Sequence, residues 1–352
     1  MRTFLSIIIP YHNSTDTIGP LLQSIKESIK PPTFEVVVVD DGSAEGKRYT
    51  DIPKKILGSY RFPIRVVSFV HNKGPAVARN TGAKYAHGKF LLFLDGDVRL
   101  FPDTLANIAK IYTDDPDIVA LTGVWTKEQK SKHFFPNFKA LRDWSYWINE
   151  KDINGYYYLF STRIASIKRE VFHRLKGFDE KYAGPLVEDI EFTYRIARRY
   201  AVIFAPNVRV HHEFEEFWPI AKKYFWRTYY WIHLFNKRKK FDPVATTSTE
   251  ALTALFGVGG MGLIVLFVLL WILRELIGYG VLTPVGELVF SRILLWTLIV
   301  GGIFLFVHFL LVIRFLRFVR REKGLWFAVR SFFVGLVLYA FIVAGAVWGK
   351  IR

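Results

Sequence analysis

The first two hundred residues alternate short, continuous apolar runs with amphipathic stretches. Residues 4–9 form a β-branched run ending at Pro10, and the spacing of Ile18, Leu21, Leu22 and Ile25 predicts a helix. Pro31-Pro32 breaks the chain before a second apolar strand at 34–39, and a third strand is predicted at 64–70. A helix over 76–85 leads through Gly88-Lys89-Phe90 into the strand Leu91-Leu92-Phe93-Leu94. Next come a helix after Phe101-Pro102-Asp103, strands at 118–124 and 163–168 and a short helix at 169–175. Ile190, Tyr194 and Ala197 share a helix face, which puts Glu188 and Asp189 at that helix's start. The stretches 202–206 and 208–210 then lead to His211-His212. Apolar strands without polar alternation belong to a mostly parallel sheet covered on both faces, so the fold class is α/β.

Two stretches depart from this pattern. Residues 125–158 are rich in aromatic and basic side chains without a clean period, as suits an irregular connection or a mobile acceptor-binding segment. Residues 216–241 interleave Trp218, Phe225, Trp226 and Tyr229 with Lys222, Lys223 and Arg227, and end on Lys237-Arg238-Lys239-Lys240. That mixture marks a helix lying in a membrane interface, although single-stranded nucleic-acid binding has a similar composition. The C-terminal third of the chain decides for the membrane. Residues 252–273, 293–313 and 325–348 are long, apolar and nearly free of charge, each sufficient to cross a bilayer core. The expected organisation is a catalytic domain at 1–215, interfacial helices at 216–250 and a transmembrane region at 251–352.

Composition narrows the partners. The net charge of +17 calls for an anionic one, and with three apolar segments the expectation is anionic membrane lipid, with no nucleic acid. Cysteine is absent, which excludes disulfides, thiolate metal sites and cysteine nucleophiles. Only Met1-Arg2-Thr3 precede the first apolar run, so no cleaved leader is expected. The basic loop carrying Arg314, Arg317, Arg320, Arg321 and Lys323, like the 237–240 cluster, belongs on the cytoplasmic side. A multi-pass protein of the cell membrane with a cytoplasmic catalytic domain is the resulting expectation.

The chemistry concentrates at predicted strand ends. Asp95 and Asp97 flank Gly96 at the end of an apolar strand, the edge where open α/β sheets bind ligands, and two carboxylates there suit Mg²⁺ or Mn²⁺ with positions left for phosphate oxygens. Asp-Gly is also a common hairpin turn, so the motif gains weight only from its neighbours. Asp40-Asp41-Gly42-Ser43 repeats the arrangement at the second strand. His211-His212 offers a third metal ligand at His211, a phosphate contact, or a structural pair at a strand end. Two familiar motifs are excluded: Gly257-Val258-Gly259-Gly260-Met261-Gly262 fits G-x-G-x-x-G but lies inside an apolar span, and no G-x-x-x-x-G-K-[ST] loop exists.

Ile7-Ile8-Ile9-Pro10-Tyr11-His12-Asn13, Val38-Val39-Asp40-Asp41-Gly42-Ser43, Asn72-Lys73-Gly74 through Arg79-Asn80, Leu94-Asp95-Gly96-Asp97, Gly177-Phe178-Asp179-Glu180 and Glu188-Asp189 occur in an order that resembles family 2 glycosyltransferases over the first two-thirds of the chain. The resemblance implies a GT-A nucleotide-sugar-binding domain with Pro10, Tyr11, Asp40 and Asp41 around base and ribose. It further implies Arg79 on the diphosphate and Asp95 and Asp97 on the donor's metal. Asp189 resembles the family's catalytic base, with Asp179 and Glu188 near the acceptor.

The expected reaction is inverting transfer of a single sugar from a nucleotide-diphosphate sugar to a lipid-linked acceptor. A polyprenyl-phosphate sugar synthase, a processive polysaccharide synthase and a non-catalytic membrane scaffold are the alternatives. Related polyprenyl-phosphate synthases usually carry glutamine where this chain has Arg99, and Lys223 to Arg227 is at most a degenerate echo of the Q-x-x-R-W motif of processive synthases. An anionic phosphate acceptor hardly needs a base, so the Glu188-Asp189 pair leans toward a hydroxyl acceptor.

Overall fold

The computed structural model describes residues 3–52, 60–152, 154–182, 184, 186–243, 246–277 and 283–351. The chain divides into two compact units, Met1–Glu216 and Phe217–Arg352.

The first unit is built on one eight-stranded sheet. Its strands are β1 (Leu5–Tyr11), β2 (Phe34–Asp40), β3 (Ile64–Ser68), β4 (Phe90–Leu94), β5 (Val98–Leu100), β6 (Ala120–Trp125), β7 (Ile164–Lys168) and β8 (Val202–His212), in the order β3-β2-β1-β4-β7-β6-β8-β5. β1, β2, β3 and β4 pair in parallel, as do β6 and β8. β7 runs antiparallel to both β4 and β6, and β5 antiparallel to β8. Consequently the C-terminal ends of β1, β2, β4, β6 and β8 and the N-terminal ends of β5 and β7 meet along one sheet edge.

β1, β2 and β4 are almost wholly buried, as unbroken Ile, Val and Leu runs require of strands covered on both sides. β1 continues through Pro10 to Tyr11, beyond its expected stop, because the β4 ladder has already ended at Ile8↔Phe93 and only β2 remains beside it. The helices of this unit are α1 (Thr15–Lys26), α2 (Pro75–Tyr85), α3 (Thr104–Asp114), α4 (Phe134–Ile148), α5 (Arg169–Arg174) and α6 (Glu188–Ile196). α4 falls inside the stretch that shows no clean period. It buries Phe135, Phe138, Leu141 and Trp147, but further aromatic residues, Phe134, Trp144 and Tyr146, lie off that face and mask the 3.6-residue repeat. A knot of Phe93, Phe160, Phe172, Phe178 and Phe192 packs with ring centroids 4.8–6.4 Å apart and fastens α5 and α6 to the sheet.

The second unit consists of α7 (Phe217–Arg238), α8 (Ser248–Ile277), α9 (Pro284–Lys323) and α10 (Leu325–Ile351). Three of them are long and apolar enough to cross a membrane: Ser248–Ile277, Val285–Lys323 and Leu325–Ile351. They expose Leu269, Trp271, Trp296, Phe306 and Phe333 widely, an outer surface that water does not favour. With 40 residues α9 is about 60 Å long, twice a bilayer core, so its arginine-rich last turns extend past the apolar part. The excluded glycine motif lies in α8 and serves packing. A methyl group at Gly257 would stand 2.7 Å from His308 Nδ1, and one at Gly260 would stand 2.9 Å from Leu305. Residues 278–282, between the first two spans, lie outside the described residues.

Candidate active site

The sheet edge gathers the acids in two groups. At the ends of β1 and β2, Asp40 and Asp41 are buried and both carboxylates bind backbone N–H groups. Asp40 accepts from Ser43 (3.0 Å) and Tyr49 (2.7 Å), Asp41 from Lys73 (2.7 Å) and Gly74 (2.9 Å). The two aspartates thereby tie the loops that follow β2 and β3 to the sheet edge. Gly42 permits the turn between them: its φ is +63°, and a Cβ there would lie 2.3 Å from the His71 carbonyl carbon. Tyr11 donates its hydroxyl to the Lys47 carbonyl at 2.6 Å. Burial, reinforced by Asp40, pushes that phenol up to about 12, so it remains a donor. His12 Nδ1 lies 2.8 Å from the Asp41 carbonyl oxygen.

The second group lies just past β4. Asp95 and Asp97 keep 31% and 52% of their side-chain surface open. The Asp95-Gly96-Asp97 turn lies close to β1, for a methyl group at Gly96 would be 3.3 Å from the Pro10 carbonyl oxygen. Pro10 is thus a backbone neighbour of the acid pair. Arg79, buried on α2, donates from Nη2 to Asp95 (2.8 Å) and from Nη1 to Glu188 (3.0 Å). Neighbouring Asn80 clamps the Gly177-Phe178 turn, donating to the Phe178 carbonyl at 2.9 Å and accepting its N–H at 2.8 Å.

Three of the expected site residues make contacts within the protein that their expected roles do not describe. Arg79 was expected on the diphosphate. Both of its terminal nitrogens hold carboxylates, the buried Glu188 and the partly open Asp95. Glu188 was expected beside the acceptor, but it is buried, with Oε1 on Arg79 and Oε2 accepting the Leu186 N–H at 2.9 Å. His211 was the expected third metal ligand; it stacks on Phe101 with centroids 4.1 Å apart and its Nδ1 lies 3.2 Å from Thr126 Oγ1. Successive residues of a strand point to opposite faces, and it is His212 whose Nε2 stands 3.6 Å from Asp97 Oδ2. The parity of buried Val208, Val210 and His212 is the sequence signal that would have singled out His212.

Burial, helped by the charge of Arg163, holds the His212 imidazole below its ordinary value and therefore neutral. Burial alone would raise the Asp97 carboxyl, but His212 and Arg163 overrule it and keep it below the usual carboxylate range. Asp189 is half-buried in the first turn of α6, next to the fixed Glu188, and its Oδ1 accepts the Ile190 N–H at 2.8 Å. Asp179 pairs with Lys181, which holds its carboxyl below the usual range against the opposing effect of burial.

Among the described residues, no three His, Asp or Glu side chains converge as a ready-made metal cage. Two open carboxylates beside a neutral imidazole nevertheless suit a hard divalent ion that takes its remaining ligands from substrate phosphates.

This architecture defines a GT-A glycosyltransferase domain. A mannosyltransferase of Pyrobaculum calidifontis, PcManGT, solved with GDP-Man and Mn²⁺, superposes with a TM-score of 0.59 at 18% identity, covering 99% of this chain and 88% of that one. Residues 6–175 match the family described as Glycosyl transferase family 2. Among curated proteins, an uncharacterized glycosyltransferase of Haemophilus influenzae is 34% identical over 114 residues, 32% of this chain and 36% of the relative. The dodecaprenyl-phosphate galacturonate synthase of Rhizobium johnstonii is 27% identical over 133 residues, 37% of this chain and 38% of the relative. The chain thus matches only about a third of the length of these relatives.

Proposed function

We propose that the protein transfers a single sugar, with inversion, from a nucleotide-diphosphate sugar to a lipid-linked acceptor at the cytoplasmic membrane face. The observation that carries this reading is Arg79, whose two ion pairs hold the open carboxylate of Asp95 at a fixed distance from the α6 turn bearing Asp189. The loops tied by Asp40 and Asp41, with Tyr11 and Pro10, form the recess for base and ribose. Asp95 and Asp97, with His212 beside them, would hold Mg²⁺ or Mn²⁺, and such an ion supplies positive charge to a departing nucleoside diphosphate. Asp189 takes the proton of the acceptor hydroxyl as its oxygen bonds to the anomeric carbon; the bond from that carbon to the diphosphate oxygen breaks, and its electron pair leaves with the diphosphate. Asp179 borders the acceptor side.

The domain limits accord with the same reading: catalysis at 1–215, interfacial helices at 216–250, and spans at 251–352 that retain the enzyme where its lipid acceptor resides. The arginines at the end of α9 favour the cytoplasmic side with its anionic lipids. A polyprenyl-phosphate sugar synthase is the second reading, supported by the Rhizobium relative, which carries that activity in its name.

Membranes containing the protein, incubated with a panel of labelled nucleotide-sugars and extracted for lipid, test the proposal. A labelled lipid product formed by the wild type and lost in Asp97→Asn is expected. Absence of a lipid product with every donor would refute it.

A further inference from the structure

Arg163 immediately precedes β7, and the β4–β7 ladder ends at Leu94↔Ile164. Asp95 and Arg163 are the residues that follow and precede that last pair. Its guanidinium carbon lies 4.2 Å from the Trp125 ring centroid and 5.4 Å from that of Phe214. Phe214 in turn packs on His212, with centroids 4.6 Å apart, and His212 reaches Asp97 at 3.6 Å. Arg163 thus stands near the acid pair, and its charge acts on both His212 and Asp97.

Arg163 also differs from the other arginines around the site. Arg79 holds Asp95 and Glu188, Arg99 faces Glu213, Arg142 faces Glu150 and Arg195 faces Glu191. Among the described residues, Arg163 makes no ion pair within 4.0 Å and no hydrogen bond; its charge acts on Asp97 from farther away, and its Nε is buried without a partner. The Nε–H, buried beside the Trp125 indole and left without an acceptor, makes an incomplete site, since a guanidinium donor removed from water calls for an acceptor oxygen. A planar donor fork matches a phosphoryl group.

The side from which such a group arrives is set by the sheet order. The recess at β1, β2 and β3 lies on one side of β4; Arg163 at β7, Trp125 at the end of β6 and His212 at the end of β8 lie on the other. We propose that Arg163, clamped by Trp125 and Phe214, is an anion subsite on the acceptor side that binds a phosphoryl group carried by the lipid acceptor. This rests on the glycosyltransferase reading and adds that the acceptor is recognised by negative charge near the reacting centre. The donor diphosphate has the same chemistry but approaches from the nucleoside side.

Binding to the purified full chain in detergent separates these sources, with farnesyl phosphate, farnesol and UDP or GDP with Mn²⁺ as probes and tryptophan fluorescence as readout. Wild type should bind farnesyl phosphate and not farnesol. Arg163→Gln should weaken farnesyl phosphate about tenfold or more, the loss expected for a charge-assisted pair, and leave nucleoside diphosphate affinity unchanged. Arg163→Lys, which keeps the charge without the planar fork, should fall between the two. Unchanged thermal unfolding of both variants shows that the fold is intact; should Arg163→Gln fail that control, the comparison rests on Arg163→Lys alone. Farnesyl phosphate binding that is absent in wild type or indifferent to Arg163 overturns the subsite, and so does a loss confined to the nucleoside diphosphates. Failure of wild type to bind any nucleoside diphosphate would instead count against the glycosyltransferase reading and leave the farnesyl phosphate comparison standing.

Discussion

Arg79 Nη1 lies 3.0 Å from Glu188 Oε1, joining α2 to the first turn of α6 across 109 residues of sequence. Both side chains are buried, so neither can turn to water if its partner is lost. Removing one member of a buried ion pair costs about 3–5 kcal/mol. Arg79→Leu should therefore destabilise the first unit by that order, seen as a lower midpoint in thermal or denaturant unfolding, and Glu188→Gln, which keeps a hydrogen-bonding amide, should cost less. An unchanged midpoint in Arg79→Leu would refute the positioning role.

The opposite orientation of two adjacent histidines gives a second expectation. His212→Ala should weaken Mn²⁺-dependent nucleotide binding because the imidazole flanks Asp97, whereas His211→Ala should leave it near wild type. Asp97→Asn should abolish it while the unfolding midpoint stays close to wild type. Titrating Mn²⁺ against nucleotide binding in the three variants checks this, and equal losses in the two histidine variants would contradict it.

Glu35 predicts a pH dependence. Its carboxylate accepts from Ser6 Oγ at 2.7 Å and from the His87 N–H at 2.6 Å. Burial would raise its pKa, yet these bonds and the His87 ring hold it below the ordinary value. A carboxyl depressed in the folded state contributes stability above its unfolded pKa of about 4.3 and loses it as pH falls through the folded value. Glu35→Gln should thus be less stable than wild type at neutral pH, the gap closing below about pH 4. A gap that stays constant across that range would exclude the ionised group as its source.

Much of this fold is legible in the sequence because buried parallel strands are unbroken apolar runs, and 34–39 or 91–94 could hardly be anything else. α4 is not, since aromatic side chains such as Trp144 and Tyr146 off its buried face hide its periodicity. Candidate acids are legible as a set because carboxylates at strand ends are conspicuous. Which face each side chain takes, and which charges cancel, depends on register and on contacts across a hundred residues. Arg79 therefore reads as a phosphate ligand although both its terminal nitrogens face carboxylates, and Arg163 and Trp125 attract no notice because neither belongs to a run of acids at a strand end.

In the second unit, a methyl group at Gly345 would lie 2.2 Å from the Phe225 carbonyl oxygen, so α10 meets the backbone of α7 directly at that point. Gly345→Leu should force those two helices apart and lower the thermal midpoint of the detergent-solubilised chain. Gly335→Leu, at a position with open space around it, should have little effect. Equal midpoints in the two variants would show that this contact contributes nothing to stability.

Asp189 separates the two acceptor classes. The carboxylate sits in the helix turn held by Glu188, and Asp189→Asn keeps its shape while removing the proton-accepting charge. With a hydroxyl acceptor, kcat should fall by roughly the 10²–10⁴-fold of a lost acid–base group, with donor affinity and unfolding midpoint unchanged. A phosphate acceptor has no proton to give up at neutral pH, so the same substitution should cost far less. The phosphoryl group proposed to bind Arg163 fits either case, as the attacking group itself or as the lipid linkage beside the attacking hydroxyl. Measured with one nucleotide-sugar and two acceptors, a polyprenyl phosphate and a polyprenyl-diphosphate-linked sugar, kcat of the Asn variant tells them apart. A steep loss with the linked sugar assigns Asp189 as base, and near-normal turnover with both acceptors removes it from the chemistry.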